Sequence, residues 1–264
     1  ESLKKSFSER WIDVYYTTGK RSGAYSGGTY QSKPYILLNH KNNLNSAFTL
    51  AHELGHSLHS YYSRQQPYAK SHYPIFLAEI ASTTNEMLLH FYLEKKATTK
   101  EMKLYLLDHL FNQFRGTLFR QVQFAEFERD IHAMVEKGEP LTADALCKHY
   151  GEMNSKYYGP DLAGNGSDVN DKIRFEWSRI PHFYYNFYVY KYSTSFAAAQ
   201  YFARKIYDGD TVTRDKYLEF LKSGCSMDPI DTMIKAGVDL STSKPIESAF
   251  KILEDALNEF EKTI

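Results

Sequence analysis

From Asn45 to the C-terminus, apolar residues recur at intervals of three and four, the spacing that lines one face of an α-helix, which restricts the chain to a mainly helical fold. Asn45 or Ser46 is placed to cap a helix over 45–62 that carries Phe48, Ala51, Leu54 and Leu58. A loop with two prolines follows over 65–74, then a second helix over 75–95. Residues 99–136 read as one long helix or two stacked ones, with Leu107, Leu110, Phe111, Phe114, Leu118 and Val122 on the apolar face. Thr142 caps a segment that runs to Tyr158, and Gly159, Pro160, Gly164 and Gly166 mark a loop. Helical stretches over 184–207 and 213–223 lead to a C-terminal helix starting near Pro245.

Only the first 44 residues depart from this pattern. Leu3, Phe7, Trp11 and Val14 suit a short helix over 3–16. Gly19, Gly23, Gly27 and Gly28, interleaved with Tyr25 and Tyr30, read as a loop or bulged edge, and Tyr35 to Asn39 behind Pro34 carry an edge-strand signature. The expected fold is therefore mainly α, with a small β element ahead of the helix over 45–62.

Composition narrows the function classes. The 264 residues are 42% hydrophobic and 24% charged, as in folded globular chains, and suffice for one large domain or two small ones. Lysine plus arginine and aspartate plus glutamate both total 32, so no net field attracts nucleic acid or an anionic lipid surface. No apolar run approaches the roughly 18 residues of a membrane span, and no charged-then-apolar leader opens the sequence. With Cys147 and Cys225 read as buried free thiols, a reducing cytoplasm is the expected setting. Oligomeric state stays open. One figure is out of line: 22 tyrosines and 17 phenylalanines bring aromatics to 16%.

The residues suited to chemistry fall in three places. His52-Glu53-Leu54-Gly55-His56 lies inside the helix over 45–62, where a spacing of four puts both imidazoles on one face, able to share one tetrahedral ion. Glu53 can reach water at such an ion without ligating it. A zinc hydrolase site needs a third protein ligand and an open position, and the next helix offers Glu79, a carboxylate among Leu77, Ala78, Ile80 and Ala81 that is costly to bury unless paired or metal-bound. Glu86, two turns on, either orients a ligand imidazole or faces solvent. His59 shares the face of His52 but lies about 10 Å along the axis and reads as a non-ligand, while His40 and His72 read as loop histidines. The third place is the run from Pro181 to Tyr192, where His182 and five tyrosines supply donors suited to an oxyanion. A helix starting near Tyr184 turns Tyr184, Tyr188 and Tyr192 to one side, so only part of the set can face a site.

These segments resemble the thimet oligopeptidase and neurolysin family of zinc metallopeptidases, in its oligoendopeptidase F branch. The resemblance rests on Gly19 to Tyr25, Ala51 to His56, Ala78 to Glu86 and Ile180 to Tyr185, in family order across most of the chain. It implies a helical zincin-type catalytic domain that cuts short peptides, with one Zn2+ on His52, His56 and Glu79 and Glu53 as general base. It further implies His182 as substrate-binding histidine, with Tyr185 and Tyr192 as the paired tyrosines and Tyr188 and Tyr190 as alternatives. Members of the family are about twice this length, so 1–264 is expected to be a single catalytic domain, a fragment lacking an N-terminal half. An exopeptidase on the same site, or an inactive peptide-binding fragment, are the alternative readings.

Overall fold

A computed structural model describes residues 1–159 and 172–264, so the loop expected at 159–170 lies, from Pro160 on, outside the described residues. The chain forms two compact units, one of Glu1–Phe111 with Thr194–Ile264 and one of Asn112–Ser193. The expectation of a mainly helical fold with one small sheet holds. Among the described residues no helix is long and apolar enough to cross a membrane.

The first unit opens with α1 (Ser2–Ser8), shorter than the helix expected over 3–16. Arg10 takes a positive φ of 55°, which ends the helix, and the chain then enters β1 (Ile12–Asp13), so Trp11 and Val14 are not helical. β2 (Tyr25–Gly27) and β3 (Tyr35–Leu37) complete a three-stranded sheet in the order β1-β3-β2, parallel on one side and antiparallel on the other. The edge-strand reading of 35–39 is thus corrected: β3 is central. Pro34 stands just before the strand and removes no ladder donor, while the Ile36 and Leu38 amides donate to Trp11 and Asp13 carbonyls at 2.8 Å each. Ile36, Leu38 and Leu54 are buried together, seating the sheet on α2 (Leu44–Ser63).

α2 begins one residue before the expected cap. Asn43 is the cap, its side chain accepting from the Ser46 amide at 2.9 Å. α3 (Ile75–Lys96) packs along α2, and the two meet at Gly55, where a Cβ would lie 2.5 Å from Ser82 Cα and 2.6 Å from the Ala81 carbonyl oxygen. Only glycine fits there. Under this pair, Leu77, Ile80 and Ala81 pack with Phe202 of α7 (Tyr190–Tyr207), Phe220 of α8 (Thr211–Lys222) and Met233 of α9 (Pro229–Ala236). α9 is too short for periodicity to reveal, although Asp228 caps it and Gly237, at φ 98°, ends it. α10 (Lys244–Thr263) starts with Pro245 in its first turn, as expected.

The region 99–136 is continuous helix: α4 (Lys100–Gln113), a π-helical turn over Phe114–Phe119, and α5 (Arg120–Glu136). The extra residue of the π turn shifts the helical phase, which leaves Val122 exposed while Phe114 and Leu118 are buried. In the second unit α5 packs with α6 (Ala143–Tyr158) around Phe124, Phe127, Tyr150 and Met153. Glu176, in a 3₁₀ segment over Ile173–Arg179, accepts from Arg120, Arg179 and the Tyr150 hydroxyl at 2.6 to 2.8 Å. The helix expected over 184–207 begins only at Tyr190, since Pro181–Tyr184 form a 3₁₀ turn and Phe187 takes a φ of 50°. Of the two cysteines Cys147 is buried as expected, but Cys225 is exposed, because it lies in the loop after α8.

Candidate metal centre

One turn of α2 carries His52 and His56 to the face that meets α3, and the side-chain-free contact at Gly55 brings Glu79 against them. His52 Nε2 and His56 Nε2 are 3.2 Å apart, and Glu79 Oε2 lies 3.4 Å from the first and 3.6 Å from the second. Three donors at about 2.0 to 2.1 Å from a tetrahedral zinc are separated by about 3.3 Å, so the spacing fits such an ion. Among the described residues this is the one group of three with metal-ligand character whose donor atoms converge.

Each donor is oriented from behind. His52 Nδ1 binds Glu86 Oε1, and His56 hydrogen-bonds the Ala78 backbone carbonyl, so both Nε2 atoms turn to the centre. The Ser82 hydroxyl donates to Glu79 Oε2 at 3.2 Å, and Asn85 Nδ2 ties α3 to the Ala51 carbonyl at 2.9 Å. Glu86 therefore orients an imidazole and does not simply face solvent.

Electrostatics follow from this packing. Burial works against a charged His52, but the hydrogen bonds to Glu79 and Glu86 outweigh it and raise its pKa to about 10. Burial lowers His56 to about 4, with Glu79 opposing. Without a metal, then, a proton held on His52 supplies the positive charge between the two carboxylates. Glu53 is pushed up to about 6, chiefly by burial, while His52 and the Ser26 amide of β2 hold it down. Its Oε2 is buried with no hydrogen-bond partner among the described residues, as suits an oxygen reserved for a water or substrate proton. His59 is fully buried, its ring stacked 3.7 Å from that of Tyr73, and burial drives it to about 3, in keeping with a non-ligand.

In the second unit, His182 gathers part of the tyrosine set. Tyr188 stacks on it at 5.5 Å, Tyr192 meets it edge-on at 6.0 Å, and Tyr188 and Tyr192 touch each other at 5.5 Å. Tyr185 is 64% exposed and joins through Tyr188 at 6.3 Å, while Tyr184 is 78% exposed. The late start of α7 is the reason: without a helix through 184–189, the three-and-four spacing does not apply there. The Phe187 amide donates to the buried Glu128 carboxylate at 2.7 Å, which secures the turn.

The profile of peptidase family M3 matches residues 1–252. The chain belongs to that family. It is 50% identical to the chromosomal oligoendopeptidase F of Lactococcus lactis subsp. cremoris, over all of this chain and 43% of that one. It is 49% identical to the oligopeptidase PepF of Bacillus subtilis strain 168, over 99% of this chain and 38% of the relative. This M3 family member thus spans about two fifths of the length of the curated relatives it matches. Among solved structures, oligoendopeptidase-F from Enterococcus faecium superposes with a TM-score of 0.71 at 46% identity, over 83% of this chain and 39% of that one. A Chlamydophila abortus structure reaches a TM-score of 0.86 at 45% identity, over all of this chain and 44% of that one.

Sequence reasoning misses several residues of this M3 centre. Ser26, Ala78 and Ser82 act through backbone or short hydroxyl contacts that no spacing rule singles out. Gly55 was open to detection, because a glycine inside a helix costs about 1 kcal/mol and so needs a packing reason.

Proposed function

We propose that this chain is the catalytic part of a zinc-dependent endopeptidase that hydrolyses short oligopeptides. The observation that carries the reading is a convergent His52, His56 and Glu79 trio beside a buried carboxylate, Glu53, with one oxygen unpartnered. A single zinc ion held by the trio would supply Lewis acidity, polarising the scissile carbonyl and making water a stronger acid. Glu53 Oε2 takes the proton of the attacking water and passes it to the leaving amine. Burial raises its pKa to about 6, which makes it a stronger base than an exposed carboxylate. Glu86 and the Ala78 carbonyl hold the two imidazoles with Nε2 unprotonated toward the ion. For His182, with Tyr192 and Tyr185 or Tyr188, the family resemblance implies the role of oxyanion donors. Both sides of β3 are taken within the sheet, which leaves β1 and β2 at its edges, and strand addition of a peptide is assigned to β2 because its Ser26 amide reaches Glu53.

Glu53→Gln should lower peptide cleavage by at least about 10²-fold with one zinc per chain retained by elemental analysis, since general-base catalysis contributes on that order. Cleavage within about tenfold of the parent would remove Glu53 from that role. Peptides blocked at both ends should still be cut, which an exopeptidase on the same centre would not do.

A further inference from the structure

Beyond the metal centre, α2 runs on into a cavity of about 580 Å³ that the chemistry above does not use. Its wall includes Tyr30, Ser60, Arg64, Tyr68, His72 and Tyr73. Arg64 is its distinctive member. The guanidinium donates to the Ser32 carbonyl at 3.1 Å, leaving most of its five N–H groups for other acceptors, and among the described residues no carboxylate lies within 4.0 Å of it. Burial without an acidic partner lowers its pKa, opposed only by Tyr73. Space for it is made by Gly28, whose φ of 146° suits glycine and where a Cβ would come within 3.1 Å of Arg64 Nη1. A half-buried cation beside phenols and hydroxyls, with no counter-ion among the described residues, is a receptor for an anion with hydrogen-bonding oxygens.

Three links tie the lining of the cavity to the residues of the metal centre. Ser60, one turn after His56, bonds the Tyr73 hydroxyl at 2.9 Å. Tyr73 in turn lies close enough to Glu79 to feel its charge. Gly27, the last residue of β2, lines the cavity, and its neighbour Ser26 holds Glu53. A peptide laid along the β2 edge at the metal centre therefore leads into the cavity. Arg64 is eight residues past His56, about 12 Å along the helix, which an extended peptide covers in about three to four residues.

We propose that this cavity is a carboxylate-binding subsite, with Arg64 as its cation, selecting peptides that carry a carboxylate about three to four residues from the cleaved bond. The inference rests on the peptidase reading above. The carboxylate comes either from a peptide C-terminus or from an aspartate or glutamate side chain.

The test uses three fluorescent peptides with one core: a free acid ending at that distance, the same peptide as its C-terminal amide, and the amide with glutamate at its last position. Dissociation constants are read by anisotropy on the chain carrying Glu53→Gln, and cleavage is followed separately on the parent. The free acid should bind about tenfold more tightly than the amide, as one charge-assisted pair supplies. Arg64→Gln should bring that ratio to about one, and Arg64→Lys, with thermal melting as a folding check, should keep part of it. If the glutamate amide matches the free acid, the subsite accepts a side chain; if it binds like the plain amide, the subsite reads the C-terminus. Equal binding of all three peptides, or a preference that survives Arg64→Gln, overturns the subsite. A preference for carboxylate without cleavage of any peptide by the zinc-loaded parent would instead overturn the peptidase reading and leave the subsite standing.

Discussion

At the scale of single residues, the contact between His52 Nδ1 and Glu86 decides what the centre does with and without its ion. Carboxylates behind ligand imidazoles typically sustain about 10- to 100-fold in metal affinity, so Glu86→Ala should weaken zinc binding by that amount in competition with a chelating dye. Glu86→Gln, which can still accept from Nδ1, should lose less. The same contact makes zinc binding a proton exchange. His52 in the metal-free chain keeps its proton up to about pH 10, yet it ligates only as the neutral ring. Binding at pH 7 should release about one proton per zinc, read by calorimetry in buffers of different ionisation enthalpy. The sign for stability follows. A histidine raised from 6.5 to about 10 stabilises the metal-free fold fully below pH 6.5 and loses that contribution as pH rises toward 10. Glu79 is shifted the other way, so its contribution is present above 4.5 and lost as pH falls through its lowered value. Melting of the metal-free chain should therefore move down between pH 6.5 and 10, and the zinc-loaded chain should not share this loss.

At the scale of elements, the centre depends on how α2 and α3 touch. A methyl at Gly55 meets the backbone of Ser82 and Ala81, which cannot change rotamer, so Gly55→Ala must push the helices apart. The expected cost is at the upper end of the about 1–3 kcal/mol typical of overpacking, measured by denaturant unfolding, together with loss of stoichiometric zinc. Gly116, with open space around its Cβ position, is the control. Much of this was legible in the sequence. The periodicity of Phe48, Leu54, Leu77 and Ile80 located both helices, and the spacing of His52 and His56, with the apolar neighbours of Glu79, named the trio that the structure brings together. What was not legible has local causes. Trp11 shares a helical interval with Phe7, yet Arg10 breaks the helix between them. Tyr35 to Asn39 look like an edge because Pro34 precedes them, yet pairing to β1 depends on contacts more than 20 residues away. The tyrosines after His182 had no helix beneath them until Tyr190, so Tyr188, placed by a non-helical turn on Glu128, could not be ranked above Tyr185.

At the scale of the molecule, the trio and Glu53 lie within the unit of Glu1–Phe111 and Thr194–Ile264, and the His182 cluster within the unit of Asn112–Ser193. A ligand that binds only folded chain stabilises what holds it, by about 2.7 kcal/mol at 100 times its Kd. Removal of zinc by a chelator should lower amide protection in α2 and α3 during hydrogen exchange, while α5 and α6 of the other unit keep theirs. Equal loss in both units would show that the metal supports the whole chain and not the unit that contains it.

The glycine contact between α2 and α3 also bears on how fast an ion held by the trio would come and go. Two ligands ride on one helix and the third on another, joined where backbone meets backbone with no flexible side chain between them. Parting of the two helices, a collective motion slower than the turning of a side chain, is the movement that draws Glu79 away from both histidines at once. Zinc bound by the trio should accordingly be lost faster to a chelator when Gly55 is replaced by alanine than in the parent chain.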